Sequence, residues 1–143
     1  MKVTLAQATI IADGTLAKGR EIECEPLTVA VLDDGGHLVV LKREDGSGIL
    51  RPQIAVGKAW GALGMGRPSR FIEKLAQDRP YFVAALSDLS EGRLVPVAGG
   101  VLIRSADGRL LGAVGVTGDI SDRDEICAVA GVEAAGLVAE TGQ

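Results

Sequence analysis

The sequence predicts an α/β domain of the α+β type, an antiparallel sheet with helices on both faces, and three observations carry that expectation. The segment Leu27 to Leu32, LTVAVL, is apolar on both of its alternating sides, so the strand it forms has to be covered twice. Two turn signals, Asp33-Asp34-Gly35-Gly36 and Ala106-Asp107-Gly108, each separate a pair of apolar runs and mark antiparallel hairpins. The helical stretches fall before, between and after these hairpins, without the strand–helix alternation of a parallel sheet.

The elements follow in order. Residues 4 to 19 place Leu5, Ala8, Ile11 and Leu16 at helical spacing, with Thr4 as N-cap and Gly14 as a weak point. The strand Leu27 to Leu32 follows Pro26, and His37 to Arg43, HLVVLKR, forms the second arm of its hairpin. Gln53 to Leu63 has helical character, and Pro68-Ser69 opens a further helix through Gln77 that Ser69 can cap. Tyr81 to Leu86 is short and apolar and reads as a strand. Leu94 to Ser105 and Arg109 to Thr117 form the second hairpin. Asp122, three residues before Glu125, has the spacing of a capping box and opens a C-terminal helix that closes the domain. No repeat, low-complexity tract or linker divides the chain, so residues 1–143 read as one domain.

Composition narrows the function. The 143 residues are 47% apolar and 24% charged, enough to build a core. A net charge of −4 and only 3% aromatic residues remove both the electrostatic footprint and the stacking surfaces of a nucleic-acid binder. No run approaches the length of a membrane span and no secretory leader is visible, so the expectation is a cytoplasmic protein with no membrane partner. Cys24 and Cys127 lack metal-ligand spacing and read as reduced thiols. A single histidine, His37, rules out a multi-histidine metal site, and its position predicts hydrogen bonding at the turn.

Several segments have two readings. Gly112 and Gly115 keep a strand flat either for a close neighbour or for a ligand pressed against it. In Gly115 to Asp122 a strand end runs through a glycine-flanked loop into a helix N-terminus, which suits either a bound anion or capping by Asp119, Asp122 and Asp124. Lys58, on a mostly apolar helix, either extends to solvent or points at a ligand carboxylate or a buried acid. Arg43 and Asp45 read as an exposed charged end of the first hairpin.

Taken together, LTVAVLDDGGHLVVLKREDG (27–46), IAVGKAWGALGMGRPSR (54–70), VPVAGGVLI (95–103) and GAVGVTGDISDRDEICAVAGVEA (112–134) resemble the GlcG/HbpS family, whose module also forms the C-terminal part of PduO-type proteins. The resemblance implies a profilin-like fold with a five-stranded antiparallel sheet and assembly as a homo-oligomer. Members bind haem, while the GlcG branch is associated with glycolate-utilisation operons. The family turn falls on Asp33, Gly35, Gly36 and His37, and its Arg-x-Asp-Gly on Arg43, Asp45 and Gly46. The helix lysine falls on Lys58, the Gly-Gly loop on Gly99 and Gly100, and the helix aspartate on Asp124. This chain departs from the family pattern at Leu102, usually proline, and at Thr117, commonly serine.

The expected function is that of an oligomeric small-ligand-binding protein, taking haem or a small carboxylate. Its candidate binding residues are Lys58, Gly99, Gly100, Thr117, Gly118, Asp124, His37 and Arg43, with no metal site. Axial haem ligands would come from His37, Cys24, Cys127, Tyr81 or a methionine, or from a hydroxyl such as that of Thr117. The alternatives are an enzyme acting on a small oxygenated acid or carbonyl compound by acid–base chemistry, and a structural or regulatory partner subunit.

Overall fold

The computed structural model describes residues 1–142. Helix α1 (Leu5–Glu21) precedes the hairpin β1 (Thr28–Asp33) and β2 (Leu38–Arg43). Three helices follow, α2 (Arg51–Met65), α3 (Ser69–Asp78) and α4 (Pro80–Leu89), and then β3 (Gly100–Arg104), β4 (Leu110–Thr117), α5 (Ser121–Ala134) and β5 (Val138–Glu140). The five strands form one sheet in the order β2-β1-β4-β3-β5, and every neighbouring pair is antiparallel.

Side-chain alternation sorts the sheet into two faces. Val29, Val31, Val101, Ile103, Val114 and Val116 point to one side, where they meet Ala8, Ile11 and Ala12 of α1 and Cys127, Ala128 and Val132 of α5. Leu32, Leu102 and Ala113 point to the other, against Ala59 and Ala62 of α2. Helix α1 starts in a full capping box, the Thr4 hydroxyl accepting from the Gln7 N–H while the Gln7 amide oxygen accepts from the Thr4 N–H. It crosses α5 closely because Gly14 and Gly131 face each other there; a Cβ on Gly14 would stand 2.9 Å from that of Ala134.

On the opposite face the approach is closer still. Gly100 and Gly115 are register partners in the middle of the sheet. A Cβ on Gly115 would overlap the Ala55 carbonyl oxygen, and one on Gly100 the Lys58 carbonyl oxygen. The backbone of α2 therefore lies directly on bare strand, so Gly115 keeps the surface flat for a helix. Behind α2, Gly57 and Gly61 admit Val95 and Leu94, and Leu94 joins Ile72 of α3 and Val83 of α4 in a third apolar cluster.

Four local expectations are corrected. Tyr81 to Leu86 is helical, within α4: Pro80 occupies a first-turn position where its missing N–H costs nothing, and Val83 is the residue this helix buries. The sheet's fifth strand is instead β5, after the last helix. Residues 94–99 do not pair as strand; the Val95 N–H donates to Gly57 O (3.3 Å) and the Ala98 N–H to Glu73 Oε1 (3.1 Å). Ser69 does not cap α3, because its buried hydroxyl accepts from the Gly100 N–H at 2.7 Å. Asp122 and Glu125 form no capping box, since the N-cap of α5 is Ile120, two residues before Asp122, and both Glu125 oxygens accept from Arg70 Nε at 3.1 Å.

Adding one methyl group at the flat patch should be expensive, because the atom it meets belongs to a backbone. Gly115→Ala should lower stability by about 2–3 kcal/mol, measured by urea denaturation, whereas Gly108→Ala, which has open space around it at φ +89, should show only its backbone penalty.

Candidate functional site

The seating of α2 carries Lys58 to the end of the sheet where β3 begins and β4 stops. Its ammonium donates to Val116 O at 2.9 Å and to Asp124 Oδ2 at 3.3 Å. Helix α2 lies on one face and α5 on the other, so this contact passes around the sheet end. Gly99 lets it through: at φ +122, a Cβ there would stand 2.8 Å from Lys58 Nζ and 2.6 Å from Val116 O. The side chains of Lys58 and Asp124 are only 2% and 1% exposed. Burial pulls the Lys58 ammonium below its ordinary range, and the Asp124 charge opposes that pull. Burial likewise raises Asp124, with Lys58 acting in the other direction. The second Asp124 oxygen accepts from the Asp119 N–H at 2.9 Å. Of the readings open for Lys58, the structure shows the buried acid.

Next to this pair is a polar rim. Thr28 of β1 stands opposite both Thr117 of β4 and Arg43 of β2. The Thr28 and Ser47 hydroxyls share a hydrogen bond of 2.7 Å. Arg43 Nη1 donates to Ser47 O at 3.3 Å, and Arg51 Nη1 donates to Thr117 Oγ1 at 2.7 Å. Gly118, at φ +145, turns the chain where a Cβ would overlap Pro26 O. Among the described residues, neither Arg43 nor Arg51 has a carboxylate partner, although Arg20, Arg70, Arg104 and Arg123 each do. Arg51 is also the first residue of α2, a helix with no acidic residue in its first turn and no side-chain cap. A cation there opposes the helix dipole.

At Pro52, the residue after Arg51, opens a groove of about 450 Å³, walled by Leu41, Pro52, Val56 and Gly57, with Glu91 and Arg93 also in its lining. Leu41 lies two residues before Arg43, on the same face of β2. The Arg93 guanidinium stacks 4.3 Å over the Trp60 ring. The result is a largely apolar slot with one guanidinium, that of Arg93, in its lining, and with Arg51 next in sequence to its wall residue Pro52.

A family model described as haem-degrading protein HbpS-like matches residues 3–133. The chain belongs to the HbpS-like family. Within it, the chain is 36% identical to protein GlcG of Escherichia coli strain K12 over 123 residues, covering 81% of this chain and 83% of that one. The crystal structure of a PduOC–haem complex superimposes with a TM-score of 0.86 at 19% identity, covering 99% of this chain and 100% of that one, which shows the shared fold. A double mutant of Streptomyces reticuli HbpS gives 0.80 at 28% identity, covering 93% and 86%.

Of the residues carried over from the HbpS-like pattern, the fold gathers Lys58, Gly99, Gly100, Thr117, Gly118 and Asp124 at one end of the sheet, with Arg43 alongside. His37 is elsewhere, since Asp33 pairs with Gly112 at the opposite end. There its Nδ1 lies 3.2 Å from Asp33 Oδ1, the turn bonding expected of it. Burial pulls the Asp33 carboxyl upward, but the N–H groups of His37 and Gly35 and the charges of His37 and Lys2 outweigh it, leaving the pKa below 3.8. Sequence reasoning missed Arg51. Its signal was present, an arginine opening a helix just before Pro52 with no acid in the following turn.

Two outcomes follow. Lys58→Ala leaves a buried carboxylate without its partner and should cost about 3–5 kcal/mol in urea denaturation. Because the folded pKa of Asp33 is depressed, its stabilisation is complete above pH 3.8 and is lost as the pH falls through the lowered value. Asp33→Asn should therefore flatten the fall in stability below about pH 4, measured by denaturation at fixed pH steps.

Proposed function

We propose that this protein is a homo-oligomeric binder of a flat, apolar-bodied ligand bearing carboxylates, haem being the candidate that its relatives suggest. The observation that carries this reading is the pair of guanidiniums, Arg43 and Arg51, without carboxylate partners among the described residues and close in sequence to Leu41 and Pro52, which wall an apolar groove, in a protein of net charge −4. Guanidinium forks match carboxylates in geometry and charge. The residues present suit haem in two respects: Leu41, Pro52 and Val56 offer an apolar wall to a porphyrin, and Arg93, which lines the groove, offers a cation to a propionate, with Arg43 and Arg51 close in sequence to the wall residues Leu41 and Pro52. Bound there, haem would supply iron redox chemistry. The chain's own part is to hold the propionates and exclude water from the ring, while Thr117 orients Arg51 and the Lys58–Asp124 pair fixes the sheet end behind Thr117.

The acid–base enzyme reading has less support, because Lys58, one of the cations it would use to hold a carboxylate, is already neutralised by Asp124 out of contact with solvent. Assembly is supported by α4, an apolar helix on which Tyr81 is 90% and Leu89 73% exposed while only Val83 is buried. No helix among the described residues is long and apolar enough to cross a membrane, and two unlinked thiols suit the reducing cytoplasm.

Haem titration followed by the Soret band tests the site. The wild-type protein should saturate, and Arg43→Ala/Arg51→Ala should weaken binding at least about tenfold, the loss of one to two charge-assisted contacts. His37→Ala should leave the curve unchanged. Equal affinity in the double variant would remove the guanidiniums from the site. Light scattering at micromolar concentration should return a multiple of 14.7 kDa, and Tyr81→Glu/Leu89→Glu should reduce it; a monomer mass for the wild type would overturn the assembly.

A further inference from the structure

Cys24 and Cys127 are 103 positions apart in the chain, yet their Sγ atoms lie 3.9 Å from each other inside the core. The fold holds both in place. The Cys24 N–H donates to Gly19 O at 2.8 Å, fastening the segment after α1, and Cys127 is on the buried face of α5 among the residues that pack against the sheet. Two sulfurs in contact need to close only about 2 Å more to reach bonding distance. The two are not equivalent. Cys24 keeps 4% of its surface and Cys127 none. Arg123, one turn before Cys127, places Nη2 3.7 Å from Cys24 Sγ, where it can serve as counter-charge to a thiolate. Neither sulfur takes part in the proposed ligand site.

We propose that Cys24 and Cys127 form an oxidisable dithiol that a hydroperoxide converts into an intramolecular disulfide, with Cys24 the sulfur oxidised first. The Cys24 thiolate attacks the outer oxygen of the hydroperoxide, the O–O bond breaks, and the departing oxygen leaves as water or an alcohol after taking up a proton. Cys24 is then a sulfenic acid. The Cys127 sulfur attacks Cys24 Sγ, the S–O bond breaks, and the hydroxide leaves as water with the proton from Cys127. The dithiol loses two hydrogens and two electrons, and the hydroperoxide is reduced. Burial, followed by the neighbouring Cys24, pushes the Cys127 thiol up to about 12, so it keeps its proton until the S–S bond forms. The product ties the segment before β1 to α5, one turn beyond Asp124, and a reducing thiol reverses it.

The test treats the reduced full-length protein with a small excess of hydrogen peroxide, then denatures and alkylates it. The expected result is an intact mass lower by two hydrogens, both cysteines protected from alkylation, recovery with dithiothreitol, and a melting temperature raised by about 5–10 °C. In Cys127→Ala, dimedone should label Cys24; in Cys24→Ala, Cys127 should stay unlabelled over the same time. Free alkylation of both thiols after peroxide, or a disulfide between two chains, would overturn the dithiol. Dimedone labelling of Cys127 in Cys24→Ala, as fast as Cys24 is labelled in Cys127→Ala, would overturn the order of oxidation. The wild-type mass measurement stands even if a variant fails to fold.

Discussion

The contact on which most of this structure depends is backbone against backbone, α2 resting on the paired glycines Gly100 and Gly115. A helix normally stands off a sheet by the thickness of two side chains, about 10 Å between layers. Here that spacing disappears at one point, because any Cβ on either glycine would enter the helix main chain. Dispersion is gained over a small area at short range, and side-chain freedom is not spent in gaining it. The composition follows from this geometry: the alanines Ala55, Ala59 and Ala62 face the sheet from α2, and on its outer side Gly57 and Gly61 admit the larger Val95 and Leu94.

The same approach sets the electrostatics. Lys58 reaches Asp124 because its helix is low enough for a lysine chain to pass the end of β3, and Gly99 leaves the passage open. The ammonium thereby becomes an internal strut, and the cations left for outside partners are those of the rim. Arg51 opposes the dipole of its own helix and is held by a neutral hydroxyl, and among the described residues it has no carboxylate partner. An anion arriving there meets both an unpaired guanidinium and an uncapped helix end.

Much of this was legible in the sequence, for reasons that can be named. The hairpins announced themselves because Asp33-Asp34-Gly35-Gly36 and Ala106-Asp107-Gly108 combine turn chemistry with β-branched flanks. The two-sided burial of β1 was visible in LTVAVL, since a strand with one wet face would carry polar residues at every second position. The helix at 80–89 was misread because, of its residues, only Val83 is buried and Leu86 alone packs beside it, and a short apolar run has no period to distinguish helix from strand. Strand β5 has three residues and was invisible for the same reason. At the site, family resemblance pointed to Lys58 and Asp124, but only the fold shows them facing each other. Arg51 went unnoticed because a lone arginine on a helix is ordinary until its missing partner is known.

The Lys58–Asp124 contact also governs how the molecule can come apart. It joins the helical layer on one face of the sheet to the layer on the other without passing through the strands. If α5 peeled away alone, an ammonium would remain in a dry site with no counter-charge; if α2 lifted alone, the carboxylate would be stranded instead. Each layer is thus penalised for opening without the other. Partial opening of either helix is pushed up toward the free energy of losing both, and the two layers behave as one cooperative unit.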